Sequence, residues 1–146
     1  MKTLEELLKE GTEVLREAEI EEAGLDAWLL LEYASGKNRA YYYAHTDEKT
    51  DPETEKIYSE LCRKRAARIP LQHLTHSAWF MGHEFYVDGR VLIPRQDTET
   101  LAEEALRILK GKEEPEILDM CTGSGCLLLS ILAACPQARG VGVDIS

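Results

Sequence analysis

The sequence predicts an α+β protein with an all-helical first domain, a β-hairpin linker and the beginning of an α/β domain. The first part of the chain has apolar residues at helical spacing, interrupted by Gly and Pro. Aromatic residues of strand type surround Gly82. Residues 117–129 combine an apolar strand, a glycine turn and an apolar helix. The predicted domains are therefore 1–72, 73–94 and 95–146.

Three long helices are predicted from their start and stop signals. Thr3-x-x-Glu6 has the form of a capping box, which opens a helix. Gly36 is a typical helix stop, and Asp51-Pro52 combines a capping residue with a first-turn proline. The expected helices run from Thr3 to about Ala18, from Leu25 to Ala34 after a break at Gly24, and from Asp51 to about Ile69, with Ile57, Tyr58, Leu61 and Cys62 on one side.

Two features of the helical domain leave alternatives open. The segment Arg39–Tyr43 contains three tyrosines that could stack on nucleic acid, but packing between short helices fits the acidic surroundings better. The basic residues at the end of the third helix suit its negative C-terminal end. They could meet an acidic partner, but a solvated helix face is the preferred interpretation. They are Arg63, Lys64, Arg65 and Arg68.

The linker is predicted to be a β-hairpin. Residues 79–87 are of strand type around Gly82, Asp88-Gly89 is a turn signal, and Val91–Ile93 is predicted to be the return strand. A helix follows, with its apolar side at helical spacing. That side comprises Leu101, Ala105, Leu106 and Leu109.

The second domain centres on a glycine turn between two strands. The first strand is expected to be buried and to carry Asp119 at its carboxyl end, and Gly123 and Gly125 allow a sharp turn beside a ligand. The next helix directs its N-terminal amides into the same crevice. A second strand ends at Asp144, which lies 19 residues after Gly125. In nucleotide-binding βαβ units an acidic residue that binds ribose hydroxyls occurs about 20 residues after the turn.

The turn favours S-adenosylmethionine over a dinucleotide such as NAD. Leu128 occupies the position of the third dinucleotide glycine, and the Asp119 carboxylate would repel a pyrophosphate. A cofactor with a sulfonium and an amino group suits this acidic strand end. Cys121 stands where methyltransferase loops usually have their first glycine. If this position requires a positive φ, we expect cofactor affinity to suffer.

Composition restricts the possible partners. The net charge of −10 argues against broad nucleic-acid binding and against an anionic membrane surface. The most apolar run, Cys126–Cys135, is too short to cross a bilayer. The four cysteines form no C-x-x-C pair, which fits a reduced, cytoplasmic protein. His73-x-x-His76 has no further ligand at a convincing spacing, so no metal site is predicted.

Motifs along the whole chain resemble the release-factor glutamine methyltransferases (the PrmC/HemK family). The stretch 91–99 is the most specific of them, because many methyltransferases share the glycine loop. The matching motifs are Pro70-Leu-Gln72, Trp79-Phe80-Met81-Gly82, Phe85-x-Val87, Val91-Leu-Ile-Pro-Arg95-x-Asp97-Thr98-Glu99, Ile117-Leu-Asp119-x-x-Thr122-Gly-Ser-Gly125-Cys126 and Val143-Asp144-Ile-Ser146.

The resemblance implies a helical domain that helps hold a peptide-chain release factor and a class I (Rossmann-like) methyltransferase domain. The methyl group of S-adenosylmethionine would pass to the glutamine amide of a Gly-Gly-Gln loop. Asp119 joins the implied cofactor-binding residues, of which Asp144 would hold the ribose. Phe85 and Arg95 are the implied substrate contacts, with Glu99 near the same junction. The residues implied to line the methionine end are Cys121, Thr122, Gly123, Ser124 and Gly125.

The chain contains two strands of the expected sheet and lacks the family's Asn-Pro-Pro-Tyr motif. We therefore expect a truncated methyltransferase domain, with no catalytic residues of its own, that is inactive alone and self-associates through its open strands. Two other functions stay open at this point. One is a DNA or RNA amino-methyltransferase, which the net charge disfavours. The other is a non-catalytic docking or dimerising module.

Overall fold

The computed structural model describes residues 1–145 and divides them into two compact units, one of residues 1–75 and one that begins at His76. Ser146, the last residue of the Val143–Ser146 motif, lies outside the described residues. The finer boundaries 1–72, 73–94 and 95–146 stay predictions. The predicted fold class is observed, since helices alone form the first unit and small sheets with helices form the second.

The first unit contains five helices. They are α1 (Leu4–Glu17), α2 (Ala23–Ser35), α3 (Arg39–Ala44), α4 (Pro52–Ala66) and α5 (Leu71–Thr75). Between His76 and residue 145 the second unit contains two helices and four strands. They are β1 (Ser77–Phe80), β2 (His83–Tyr86), α6 (Asp97–Leu109), β3 (Glu116–Met120), α7 (Cys126–Ala134) and β4 (Arg139–Val143).

The predicted helix signals of the first unit are confirmed. The Thr3 hydroxyl accepts from the Glu6 amide at 3.2 Å, and the Glu6 carboxylate accepts from the Thr3 amide at 2.8 Å. The Asp51 carboxylate caps α4 by accepting from the amides of Glu53 and Thr54. Gly36 ends α2 with a φ of 66°. Gly24 does not break α2, because it lies in the first turn of that helix.

The core of the first unit forms where α1, α2 and α4 pack together. Tyr58 of α4 is fully buried against α1, and its ring lies over Gly11. The predicted packing of the aromatic segment of α3 is confirmed for Tyr42, whose ring meets Trp28 edge to face with centroids 5.0 Å apart, whereas Tyr43 is 67% exposed. Ile57 was expected on the buried side of α4, but it is 38% exposed. The buried apolar residues are Leu4, Leu7, Leu15, Ile20, Ala23, Ala27, Trp28, Leu30, Leu31, Tyr42, Tyr58, Leu61, Cys62 and Leu74.

Two members of the basic cluster bond other helices or their ends, and the prediction of a solvated face is wrong for Arg65, whereas Arg68 is exposed. Arg65 donates to the carboxylate of Asp26, which is buried in α2, at 2.7 Å. Arg68 donates to the backbone carbonyls of Ala18 and Glu19 at 2.9 and 3.2 Å. These carbonyls belong to the two residues directly after α1, at a helix end where backbone acceptors lack intrahelical partners. These two arginines therefore join the end of α4 to α2 and to the residues that follow α1.

The hairpin of the second unit consists of β1 and β2, which pair antiparallel from Ser77↔Tyr86 to Phe80↔His83. Met81 and Gly82 form the turn, with φ values of 49° and 75°, as a type I′ turn requires. The Glu99 carboxylate of α6 accepts from the Met81 amide at 2.7 Å. A side chain 18 residues further along the chain thus holds this turn in place.

The predicted return strand Val91–Ile93 is wrong, because these residues are in neither strand of the hairpin. Val87 is fully buried, and its amide reaches the His76 carbonyl at 3.4 Å, which closes the hairpin. The chain then turns at Asp88, whose carboxylate accepts from the Arg90 amide at 3.0 Å. The predicted turn at Asp88-Gly89 therefore leads away from the hairpin.

The second sheet pairs β3 and β4 in parallel, from Glu116↔Arg139 to Met120↔Val143. Helix α7 packs on one face, where Gly140 leaves room for the side chain of Leu128. The opposite face is open among the described residues, since Leu118 and Met120 are each 64% exposed. The prediction that β3 is buried is therefore wrong for this face. The expected self-association stays a prediction, which sedimentation velocity can check.

A small core joins the hairpin, α6 and α7. Phe80, Ala102, Cys126 and Ile131 are its buried members. Leu101, which was expected on the apolar side of α6, is 57% exposed, and its neighbour Ala102 is fully buried instead. The other three predicted residues, Ala105, Leu106 and Leu109, pack against this core, so the prediction is wrong for Leu101 alone.

None of the helices within residues 1–145 is long and apolar enough to span a lipid bilayer.

Candidate functional site

The loop of residues 121–125 leaves the carboxyl end of β3 and leads into α7. Three of its residues have positive φ values, namely Cys121 at 64°, Gly123 at 56° and Gly125 at 78°. Glycine adopts this backbone conformation without steric cost, whereas a residue with a Cβ is strained in it. The sharp turn predicted at Gly123 and Gly125 is confirmed, and Cys121 shares its backbone conformation.

Hydrogen bonds tie the loop to the ends of both strands. The Thr122 amide donates to the Val143 carbonyl at 3.0 Å, and the Gly123 amide donates to Asp144 Oδ2 at 2.8 Å. The Thr122 hydroxyl donates to Asp119 Oδ2 at 2.7 Å. The structure thus brings four predicted cofactor-binding residues into one network at the carboxyl edge of the sheet.

Gly142 is a requirement of this site that sequence reasoning missed. A Cβ added to Gly142 would lie 2.9 Å from the Thr122 hydroxyl and 3.2 Å from its Cβ and Cγ2. Thr122 therefore sits directly on β4 only because residue 142 has no side chain. The signal in the sequence is the alternation Gly140-Val141-Gly142-Val143, which leaves one face of the strand bare.

The site fits the chemistry of S-adenosylmethionine. A Cβ added to Gly123 would meet nothing within 4 Å, so open space lies beside the backbone at this point. Gly125, the residue before α7, has no side chain to cap the helix, which leaves the first amides of α7 to other acceptors. Asp119 and Asp144 place a carboxylate at the end of each strand, where an amino group and ribose hydroxyls have suitable acceptors.

The other three residues predicted to bind cofactor or substrate also lie in the second unit. Ser124 is a half-buried member of the loop. Phe85 of β2 is half-buried and meets Phe80 edge to face, with ring centroids 6.5 Å apart. Arg95 is exposed, and its carbonyl accepts from the Thr98 amide at the start of α6. Their assignments to cofactor and substrate stay predictions.

Replacing Cys121 by glycine is expected to stabilise the protein. A non-glycine residue at a φ of 64° costs about 1–2 kcal/mol, and the greater entropy of glycine in the unfolded chain offsets part of the gain. We expect Cys121→Gly to raise the free energy of unfolding by about 0.5–1 kcal/mol, measured by urea denaturation. Cys121→Ala is the matched control, because it removes the thiol but keeps the Cβ. An equal gain in both variants would contradict backbone strain as the cause.

The helical first unit and the glycine loop between parallel strands define a two-part protein with a βαβ corner of the kind that nucleotide-binding folds use. Residues 6–75 match the family described as the PrmC N-terminal domain. The chain is also similar to proteins named release factor glutamine methyltransferase. That of Bordetella pertussis is 39% identical over 122 residues, covering 84% of this chain and 45% of the relative. That of Deinococcus radiodurans is 39% identical over 143 residues, covering 98% of this chain and 51% of the relative.

A third relative is similar over nearly the whole chain. The release factor glutamine methyltransferase of Chlorobaculum tepidum is 35% identical over 146 residues, covering 97% of this chain and 50% of the relative. The matches to the Deinococcus radiodurans and Chlorobaculum tepidum proteins include the helical unit, the hairpin and the glycine loop, since they cover 98% and 97% of this chain. The first unit thus matches the PrmC N-terminal domain family, and the chain as a whole is similar to release factor glutamine methyltransferases. It spans about half the length of the curated relatives it matches.

Proposed function

We propose that this protein is an S-adenosylmethionine-dependent methyltransferase that modifies the glutamine side-chain amide of the Gly-Gly-Gln motif in peptide-chain release factors. The observation that carries the proposal is the network joining the glycine loop to Asp119 and Asp144. The names of the relatives support the substrate. Release factors act on ribosomes, so a cytoplasmic location follows from the same proposal.

Each part of the site has a proposed role. Asp144 accepts the ribose hydroxyls, and Asp119 faces the cationic methionine end of the cofactor. The backbone of residues 121–125 lies against the ligand, and the open space beside Gly123 permits a close approach. The cofactor itself supplies an electrophilic methyl group. The protein's contribution is to hold that group in one orientation relative to the substrate amide.

The substrate contacts are proposed on the second unit and the helical unit. Phe85 would help to enclose the glutamine side chain, and Arg95 would lie beside it. The helical unit, which matches the PrmC N-terminal domain, would hold the body of the release factor. The buried core of this unit holds its helices together, and their outer faces would contact such a partner.

Cofactor binding tests the proposal at the site itself. In a calorimetric titration we expect saturable binding of S-adenosylmethionine by the wild-type chain and a loss of at least about tenfold in Asp144→Ala, since a charged acceptor is removed. Glu103→Ala is the matched control, because it removes an exposed carboxylate from α6. An unchanged affinity in Asp144→Ala would remove the proposed ribose contact.

The substrate is tested by transfer of label. An enzyme with these residues and the full length of its curated relatives would be incubated with release factor and S-adenosylmethionine labelled in the methyl group. Label on the glutamine of the Gly-Gly-Gln peptide is the expected result. Label on duplex DNA in the absence of release factor would contradict the proposed substrate.

A further inference from the structure

Both the backbone and the side chain of Thr122 make contacts within the loop and with β4. Its amide donates to the Val143 carbonyl at 3.0 Å, and its carbonyl accepts from the Gly125 amide at 2.8 Å. Its side chain lies against Gly142, where an added Cβ would be 2.9 Å from its hydroxyl. The backbone and the side chain of Thr122 are therefore both fixed relative to the two strands.

The Thr122 hydroxyl has one hydrogen to donate, and it donates it to Asp119 Oδ2 in a hydrogen bond of 2.7 Å. A carboxylate can rotate about its bond to Cβ, and a short hydrogen bond from a fixed donor selects one rotation. The other oxygen, Oδ1, then has a defined direction. The hydroxyl thus determines how Asp119 presents its charge at the end of β3.

We propose that Thr122 is a positioning residue that aims Asp119 at the ammonium group of the cofactor's aminocarboxypropyl arm. The inference rests on the proposed function, which assigns the two strand-end carboxylates to different parts of the ligand, and it adds the role of the Thr122 hydroxyl. Asp144, which bonds the Gly123 amide at 2.8 Å, serves the nucleoside part. Asp119, which bonds Thr122, serves the amino-acid part.

Two ligands separate these roles. S-adenosylhomocysteine carries the aminocarboxypropyl arm, whereas 5′-methylthioadenosine has the same nucleoside and thioether without that arm. Thr122→Val keeps the shape of the side chain and removes the hydroxyl, and Thr122→Ser keeps the hydroxyl and removes the methyl group. The dissociation constants of both ligands would be measured by calorimetry for the wild-type chain and each variant.

The expected result is a selective loss. Thr122→Val should weaken S-adenosylhomocysteine about tenfold, the typical effect of a hydrogen bond to a charged group, and leave 5′-methylthioadenosine within about twofold. Thr122→Ser should bind both ligands within about twofold of wild type. Asp119→Asn should show the same selectivity. The double variant Asp119→Asn/Thr122→Val should lose less than the product of the two single losses.

Other results would overturn the inference. Equal weakening of both ligands by Thr122→Val would mean that the hydroxyl only maintains the loop. The same conclusion would follow if Thr122→Ser failed to restore S-adenosylhomocysteine binding, or if the losses in the double variant multiplied. A wild-type chain that binds neither ligand would overturn the proposed function itself. Failure of the positioning role and failure of the function are therefore distinguishable.

Discussion

Gly11→Ala is expected to destabilise the helical unit by about 3 kcal/mol, at the upper end of the usual cost of overpacking. A Cβ at position 11 would lie 2.6 Å from Cζ of Tyr58 and nearer still to its hydroxyl oxygen. Tyr58 is fully buried and cannot turn into solvent without leaving the core. Helices α1 and α4 would therefore have to separate. Urea denaturation followed by circular dichroism measures the loss.

Gly24→Ala is the matched control for this substitution. Gly24 lies in the first turn of α2, and a Cβ added there meets nothing within 4 Å. Because alanine favours a helix over glycine, this variant is expected to be more stable by up to about 1 kcal/mol. If both variants changed stability in the same direction and by the same amount, the close approach of Tyr58 to α1 would not be the cause.

Arg65→Ala is the second substitution with a large expected effect, a loss of about 3 kcal/mol in the free energy of unfolding. It leaves the buried carboxylate of Asp26 without the guanidinium that bonds it at 2.7 Å. An uncompensated buried charge costs far more than the ion pair itself contributes. The same urea denaturation experiment measures this loss.

The neighbouring residue provides the control for Arg65. Lys64 pairs with Glu60 at 2.8 Å across one turn of α4, and both side chains are about half exposed. Lys64→Ala should cost no more than about 0.5 kcal/mol, because exposed pairs of this spacing contribute little. The double variant Asp26→Leu/Arg65→Met should recover most of the loss, since apolar side chains can replace a buried pair. A double variant as unstable as Arg65→Ala would contradict this explanation.

The parts of the fold that were predicted correctly depend on local chemistry. The starts of α1 and α4 follow from Thr3-x-x-Glu6 and Asp51-Pro52, whose capping bonds span only three residues. The turns at Gly123 and Gly125 follow from the freedom of glycine at positive φ. Such features can be predicted from a short stretch of sequence.

The features that sequence reasoning missed depend on how residues pair after the chain folds. Apolar residues at Val91–Ile93 suggested a return strand, but β1 and β2 pair through a turn with Met81 at positive φ, a conformation unusual for methionine. Arg65 and Asp26 are 39 residues apart, so their pairing is invisible in either helix alone. The bond from Thr122 to Asp119 could be suspected from their spacing, whereas the contact of Thr122 with Gly142 requires the parallel pairing of β3 and β4.

The bond from the Met81 amide to the Glu99 carboxylate has a consequence for how the chain forms during synthesis. A two-stranded hairpin is marginally stable in water by itself, and its turn here includes a methionine in a costly left-handed conformation. Residues 77–86 leave the ribosome before Glu99 does. The hairpin should therefore fluctuate in the nascent chain and become ordered only after α6 has emerged, so that the order of translation sets the order of folding in this unit.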